Sequence, residues 1–217
     1  MSVNVPLGPL LDPAFHLGQT PTSWAELLGF GTGVVTVWFV VRQNILNWPL
    51  GLANVILLGL VFLDSGLYAD AGLQIVYVAL QAYGWWQWLH GGRDHGPLAV
   101  TRTTRAEWAA LLTAGALTAA ALTWLLSTHT DSTVPFWDAT TTAISLMATY
   151  GQCRKRLESW WLWITADLIY IPLYAHKGLH LTSGLYVIFL GLCVLGLLSW
   201  RADLRIRTTA APAGATA

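Results

Sequence analysis

Apolar residues run along this chain in long stretches, broken at fairly regular intervals by short polar joints. Seven stretches are candidate membrane spans: Trp24–Val41, Trp48–Leu63, Ala69–His90, Ala106–Ser127, Pro135–Gln152, Trp160–Ala175 and Leu181–Trp200. A spanning helix needs roughly 20 residues, and the shorter stretches sit at the lower end of that range. The joints carry residues that stop helices, as at Asn47-Trp48-Pro49, Gly91-Gly92-Arg93 and Lys177-Gly178. The pattern predicts an all-α membrane protein with seven transmembrane helices.

The polar residues inside these stretches fall on helical faces. In the sixth, Trp160, Trp163, Asp167 and Tyr170 are spaced i, i+3, i+7 and i+10, one stripe of a 3.6-residue helix. Asp167 is the one carboxylate at mid-depth, where a charge costs about 2.5–3.5 kcal/mol on insertion scales. Two readings follow. In one, Trp160 and Trp163 form a stacking platform for a flat ligand, with Asp167 as hydrogen-bond acceptor or counter-ion. In the other, the tryptophans belong to an interfacial belt and Asp167 pairs with a neighbouring helix.

The third stretch has a second stripe of Gln74, Tyr77, Gln81, Trp85 and Trp88. Lipid offers an amide no partner, so these residues face either a wet pathway or another helix. Trp88, at the end, reads as a belt residue. In the second stretch Asn54 is a ligand candidate or a packing residue, with Gly51 nearby for close approach. Asp138, Thr142, Ser145, Thr149 and Gln152 mark one face of the fifth stretch, where hydroxyls can satisfy their own helix backbone.

Composition fits the pattern: 55% of residues are apolar and 10% charged, against roughly 25% charged in soluble domains. The net charge of zero conceals a strong asymmetry. Arg42, Arg93, Arg102, Arg105, Arg154, Lys155, Arg156, Arg201, Arg205 and Arg207 fall on one set of joints, and Lys177 alone on the other. By the positive-inside rule the N-terminus is expected outside and the C-terminus in the cytoplasm. Residues 1–23 read as an extracytoplasmic tail and 201–217 as a disordered cytoplasmic one. Cys153 and Cys193 are far apart in apolar context, so no disulfide is expected.

Other function classes are disfavoured. Retinal chemistry needs a lysine at mid-membrane, yet Lys155 and Lys177 lie in joints, and no histidine lies at mid-span for intramembrane catalysis. No phosphate-cradling glycine loop, zinc motif or nucleophile elbow is present, so no catalytic residue, metal, cofactor or nucleic acid is expected.

The chain also repeats itself. At an offset of 112 residues, Arg42 matches Arg154, Trp48 matches Trp160, Gly66 matches Gly178, Gly72 matches Gly184, Gly84 matches Gly196 and Trp88 matches Trp200. The repeats are 24–90 and 135–200, with 106–127 as a linker helix. Four helices separate equivalent spans, which gives parallel repeats, a known transporter plan.

Two stretches resemble the Pnu-type vitamin transporters, the PnuC family. One is Gly66-Leu67-Tyr68-Ala69-Asp70-Ala71-Gly72-Leu73-Gln74 continuing through Gln81-Ala82-Tyr83-Gly84-Trp85-Trp86-Gln87-Trp88; the other is Trp160-Trp161-Leu162-Trp163-Ile164-Thr165-Ala166-Asp167 through Tyr174, then Lys177-Gly178-Leu179. The resemblance covers about Trp24 to Trp200. It implies a SWEET-like 3+1+3 fold, a homotrimer in the bacterial inner membrane, and facilitated diffusion with trapping by a cytoplasmic kinase. It places the family's paired tryptophans at Trp160 and Trp163, its helix-three glutamine at Gln81 and its helix-six polar residue at Asp167. Together with the stripes, the expected substrate-binding residues are Asn54, Tyr77, Gln81, Trp85, Trp160, Trp163, Asp167 and Tyr170. Nicotinamide riboside, a flat cation with ribose hydroxyls, fits stacking and cation–π contact; thiamine and then riboflavin are the alternatives, and ion-coupled symport ranks lower.

Overall fold

The computed structural model describes residues 13–17, 20–64, 68–130, 133–176, 178 and 180–210. Among these, seven α-helices follow one another: α1 (Trp24–Val41), α2 (Asn47–Asp64), α3 (Tyr68–His90), α4 (Arg105–His129), α5 (Pro135–Cys153), α6 (Ser159–His176) and α7 (His180–Ala210). They match the seven apolar stretches to within a few residues, except at the end of α7. A short antiparallel hairpin, Pro13–Leu17 with Thr20–Ser23, precedes α1 and departs from an all-α chain.

Two further expectations are corrected. The helix α7 continues to Ala210, so residues 201–210 are not a disordered tail. Alanine, leucine and arginine favour helix, and Arg207 pairs with Asp203 one turn earlier at 3.0 Å. Residues 211–217, residues 1–12, Gly66, Lys177 and Leu179 lie outside the described residues. Trp88 is not a belt residue. It is buried, and its indole N–H donates to the Gln152 carbonyl at 2.9 Å, an interior partner that lipid could not supply.

The chain divides into two compact units, Met1–Trp86 and Gln87–Ala217. A matching corner appears in both. At the end of α1, the N–H groups of Arg42, Gln43 and Asn44 donate to the carbonyls of Trp38, Val40 and Phe39. At the end of α5, those of Arg154, Lys155 and Arg156 donate to Tyr150, Gln152 and Gly151. Each set contains the paired 6→1 and 5→2 bonds that close a helix with one left-handed residue. That residue is Gln43 in one corner (φ 50°) and Lys155 in the other (φ 47°). The next turn matches too: Asn47 and Trp48 donate to Asn44 and Ile45, and Ser159 and Trp160 donate to Arg156 and Leu157. Even the side-chain staple recurs, from Asn47 to the Asn44 carbonyl at 2.6 Å and from Ser159 to that of Arg156 at 2.8 Å. Every pair is 112 residues apart.

The corners aim equivalent indoles at equivalent glycines. Trp48 is buried with its ring where a Cβ on Gly84 would stand, and Trp160 does the same at Gly196. Only glycine leaves that space. In the first unit α2 and α3 run antiparallel through a ladder of such contacts: Trp48 on Gly84, Gly51 on Gln81, and Gly59 on Gln74.

In the second unit Gly115 of α4 rests on Met147 of α5. Thr104 caps α4 by accepting the Glu107 N–H at 3.2 Å. The segment before α4 is stitched to the α5–α6 corner, with the Thr101 N–H donating to Lys155 and its carbonyl accepting from Leu157, at 3.0 and 2.9 Å. Arg156 forks onto Glu107 at 2.8 and 3.1 Å and donates to Thr101 Oγ1 at 2.6 Å. Glu158 accepts from the Thr103 N–H and hydroxyl at 2.8 and 2.9 Å.

Many large apolar side chains lie exposed. Ile75, Leu117 and Trp124 are each more than 60% exposed. Among the described residues, Arg105–His129 and His180–Thr209 are long and apolar enough to cross a membrane by length and composition, and Leu27–Val41 and Asn47–Leu60 are shorter apolar helices.

Candidate functional site

Four of the expected site residues belong to the first unit. Asn54 donates from its amide to Thr32 Oγ1 on α1 at 2.7 Å, and Thr32 in turn donates to the Leu28 carbonyl at 2.6 Å. This is the helix-joining role that the sequence left as one of two alternatives. Gln81 lays its amide over Gly51, which has no side chain to obstruct it. Tyr77 is half-buried on α3 and Trp85 is 36% exposed.

The other four lie on α6, and their stripe turns toward α5 and α7. Trp160 is fully buried, with Gly196 beneath its ring and Trp200 edge-on at 5.3 Å. It anchors helices, and its buried indole N–H has no hydrogen-bond partner among the described residues. Three residues on, Trp163 is half-buried, and its enclosed indole N–H likewise finds no acceptor among the described residues. An enclosed donor without an acceptor costs about 1–3 kcal/mol, and a ligand oxygen would relieve it.

Asp167 is 2% exposed, and its Oδ2 accepts from the Cys193 thiol of α7 at 3.4 Å. A thiol is a weak donor for a carboxylate. One turn further, Tyr170 enters an aromatic cluster with Tyr186 at 4.6 Å and Tyr174 at 5.6 Å, and the last two stack at 5.2 Å. Its hydroxyl lies within reach of Thr141 and Ser145 on α5. The α5 hydroxyls otherwise bond their own helix, Thr141 to the Trp137 carbonyl at 2.9 Å and Thr149 to that of Ser145 at 2.8 Å. Ser183 ties the start of α7 to the later part of α6 by donating to the Ile171 carbonyl at 2.9 Å.

The structure thus brings Asp167 to Cys193 and Tyr170 to Tyr186 on the α6–α7 pair, with Trp163 one turn before Asp167 on the same stripe of α6. Cys193, Tyr174 and Tyr186 were missed by sequence reasoning. Cys193 had a usable signal, because it lies 112 residues after Gln81, the offset at which the two corners match. The tyrosines had none, since aromatic residues are frequent throughout.

Comparison with known proteins decides the class. The family model described as "Nicotinamide mononucleotide transporter" matches residues 23–202, most of the chain. The chain belongs to the nicotinamide mononucleotide transporter family. Membership makes it a multi-pass membrane transporter. Within this family the riboflavin/roseoflavin transporter RibM of Streptomyces davaonensis is 30% identical over 94% of this chain and 99% of its own length. The nicotinamide riboside transporter PnuC of Neisseria mucosa is 29% identical over 83% of this chain and 73% of its own, and that of Escherichia coli 25% over 91% and 90%. A crystal structure of the vitamin B3 transporter PnuC superposes with a TM-score of 0.65 at 24% identity, covering 84% of this chain and 83% of the other. That likeness establishes the fold shared by the family's transporters.

Proposed function

We propose that this protein takes up a flat, ring-bearing vitamin across the bacterial inner membrane by facilitated diffusion, with nicotinamide riboside as first substrate. The carrying observation is Asp167, a buried carboxyl whose partner is a weak thiol donor. Among the described residues no cationic side chain forms an ion pair with it. A pyridinium ring would supply the missing positive charge, and stacking on Trp163 would add cation–π attraction of about 2 kcal/mol once desolvated. The indole N–H of Trp163 and the hydroxyl of Tyr170 suit ribose oxygens. Gln81, Asn54, Tyr77, Trp85 and Trp160 complete the proposed set, with Trp160 acting through packing.

Around this site we place a 3+1+3 arrangement of seven spans, N-terminus outside and C-terminus in the cytoplasm. Equivalent corners at a constant offset support the repeat, and the basic residues support the orientation. A homotrimer and trapping by a cytoplasmic kinase belong to the same reading. Riboflavin is the second reading, favoured by the full-length similarity to RibM. Its ring is neutral, so it would use Asp167 as a hydrogen-bond partner alone.

Calorimetric titration of nicotinamide riboside, thiamine and riboflavin into the purified protein separates these readings. Nicotinamide riboside is expected to bind, and Asp167→Asn to weaken it by about tenfold or more. Tight riboflavin binding that Asp167→Asn leaves unchanged, with no riboside binding, would install the second reading. Thiamine binding alone would assign the third vitamin. No binding of any of the three would remove the proposal.

A further inference from the structure

Two buried cysteines stand in different surroundings. Cys153, fully buried at the end of α5, lies beside the corner that carries the Trp160–Gly196 anchor. Cys193 is 4% exposed on α7 and points its thiol at Asp167, the carboxyl on which the proposed uptake role rests. The Trp160–Gly196 contact on one side and the Ser183–Ile171 bond on the other fix α7 against α6, so this approach is set by the helix pair. The repeat gives the position a second, independent meaning. Cys193 is the equivalent of Gln81, and Trp163 the equivalent of Gly51. In the first unit a bare glycine accommodates a long amide; in the second the equivalent positions hold a large indole and a small thiol.

We infer that Cys193 is a substrate-path residue that positions the Asp167 carboxyl, the second repeat's counterpart of Gln81, and that its small volume helps set which ring fits beside Trp163. This inference deepens the proposed uptake reading. A hydroxyl at 193 preserves the donor, a methyl removes it, and a larger residue fills the space on the path.

The test uses full-length protein in which Cys153→Ala leaves one thiol. Methyl methanethiosulfonate transfers a methylthio group to the Cys193 thiolate and releases methanesulfinate. Modification is expected to cut vitamin binding, and saturating vitamin to slow the modification, each by about tenfold. Cys193→Ser should retain affinity within about twofold, whereas Cys193→Ala should lose about fivefold, the worth of one ordinary hydrogen bond. Modification that spares binding, a rate that bound vitamin leaves unchanged, a thiol that never reacts, or wild-type affinity in Cys193→Ala would each overturn the inference. If none of the three vitamins binds, the uptake reading fails separately. The pair is then judged by Asp167→Asn: a change in the Cys193 modification rate of about threefold or more upholds it, and an unchanged rate overturns it.

Discussion

The α1–α2 corner and the α5–α6 corner have the same hydrogen bonds and a left-handed residue at the same place, yet their side chains diverge. The first carries Gln43 and Asn44, and the helices beyond it carry Gly51, Val55 and Gln81. The second carries Lys155 and Arg156, then Trp163, Asp167 and Cys193 at the equivalent places. What the corners share is therefore the frame: the closed helix end and an indole seated on a glycine. What differs is the chemistry mounted on it. A valine 9% exposed in the first unit stands where, 112 positions on, the second has a carboxyl 2% exposed, so the acid sits at a place that the matching corner fills with hydrocarbon. Its presence is explained by something other than packing.

The most severe way to break the comparison is to fill the shared glycines. A Cβ at Gly84 or Gly196 would overlap Trp48 or Trp160, and both indoles are buried. Gly84→Val and Gly196→Val are each expected to cost about 3 kcal/mol, at the upper end for overpacked cores, and to deplete monodisperse protein in detergent. Melting followed by size-exclusion fluorescence checks this. Comparable losses keep the two anchors equivalent, whereas tolerance at one site alone would show that the indoles serve different purposes.

A middle-sized effect comes from the clasp that only the second corner has. Arg156 forks onto Glu107, while its equivalent, Asn44, has its side chain engaged with the neighbouring Leu46 N–H at 2.9 Å. Breaking a buried ion pair costs about 3–5 kcal/mol, but these side chains keep 15% and 14% exposure and Arg156 retains Thr101. Glu107→Ala should therefore cost about 2 kcal/mol. A double-mutant cycle with Arg156→Ala isolates the pair. Coupling below about 0.5 kcal/mol would reduce it to an ordinary surface contact.

The fate of individual residues shows what the sequence could carry. The seven helices were legible because membrane spans need uninterrupted apolar runs, and the joints were legible because proline, glycine and arginine mark them. The Trp–Gly matches at one offset pointed to a real contact geometry. Asp167 stood out by its cost alone. Its partner did not, because a cysteine in an apolar run looks like any small hydrophobe until a carboxyl is found facing it. Trp88 was misjudged for a related reason: an indole at a helix end suits a lipid interface and a buried cluster equally, and only the Gln152 carbonyl distinguishes them. The extension of α7 to Ala210 was missed because charge in a membrane protein reads as a helix leaving the bilayer, whereas a helix can continue in water. The stitching of 101–103 to the second corner depends on residues about 55 apart and leaves no periodic trace.

The mildest probe compares Lys155 with Gln43, which share one backbone shape and differ in charge. Lys155 is 7% exposed in the corner outside the spans, with its ammonium 4.2 Å over the Trp88 ring. Burial, aided by the Arg207 guanidinium and opposed by Asp203, presses it from 10.5 down to about 8. A folded value below the unfolded one means that the folded protein releases this proton first. The cost of burying the charge is thus fully present below about pH 8, and stability is regained as pH rises from there toward 10.5. The Trp88 face favours the ammonium and offsets part of that gain, leaving about 1 kcal/mol. Melting temperatures of wild type and Lys155→Met, measured between pH 7 and pH 10, should therefore converge or cross as the solution becomes alkaline, with wild type improving relative to the variant. Gln43→Met should shift the curve without changing its slope. A wild-type curve that stays parallel to Lys155→Met across that window would mean that the ammonium is stabilised by Trp88 as fully as burial destabilises it, and the two corners would then differ in shape of side chain alone.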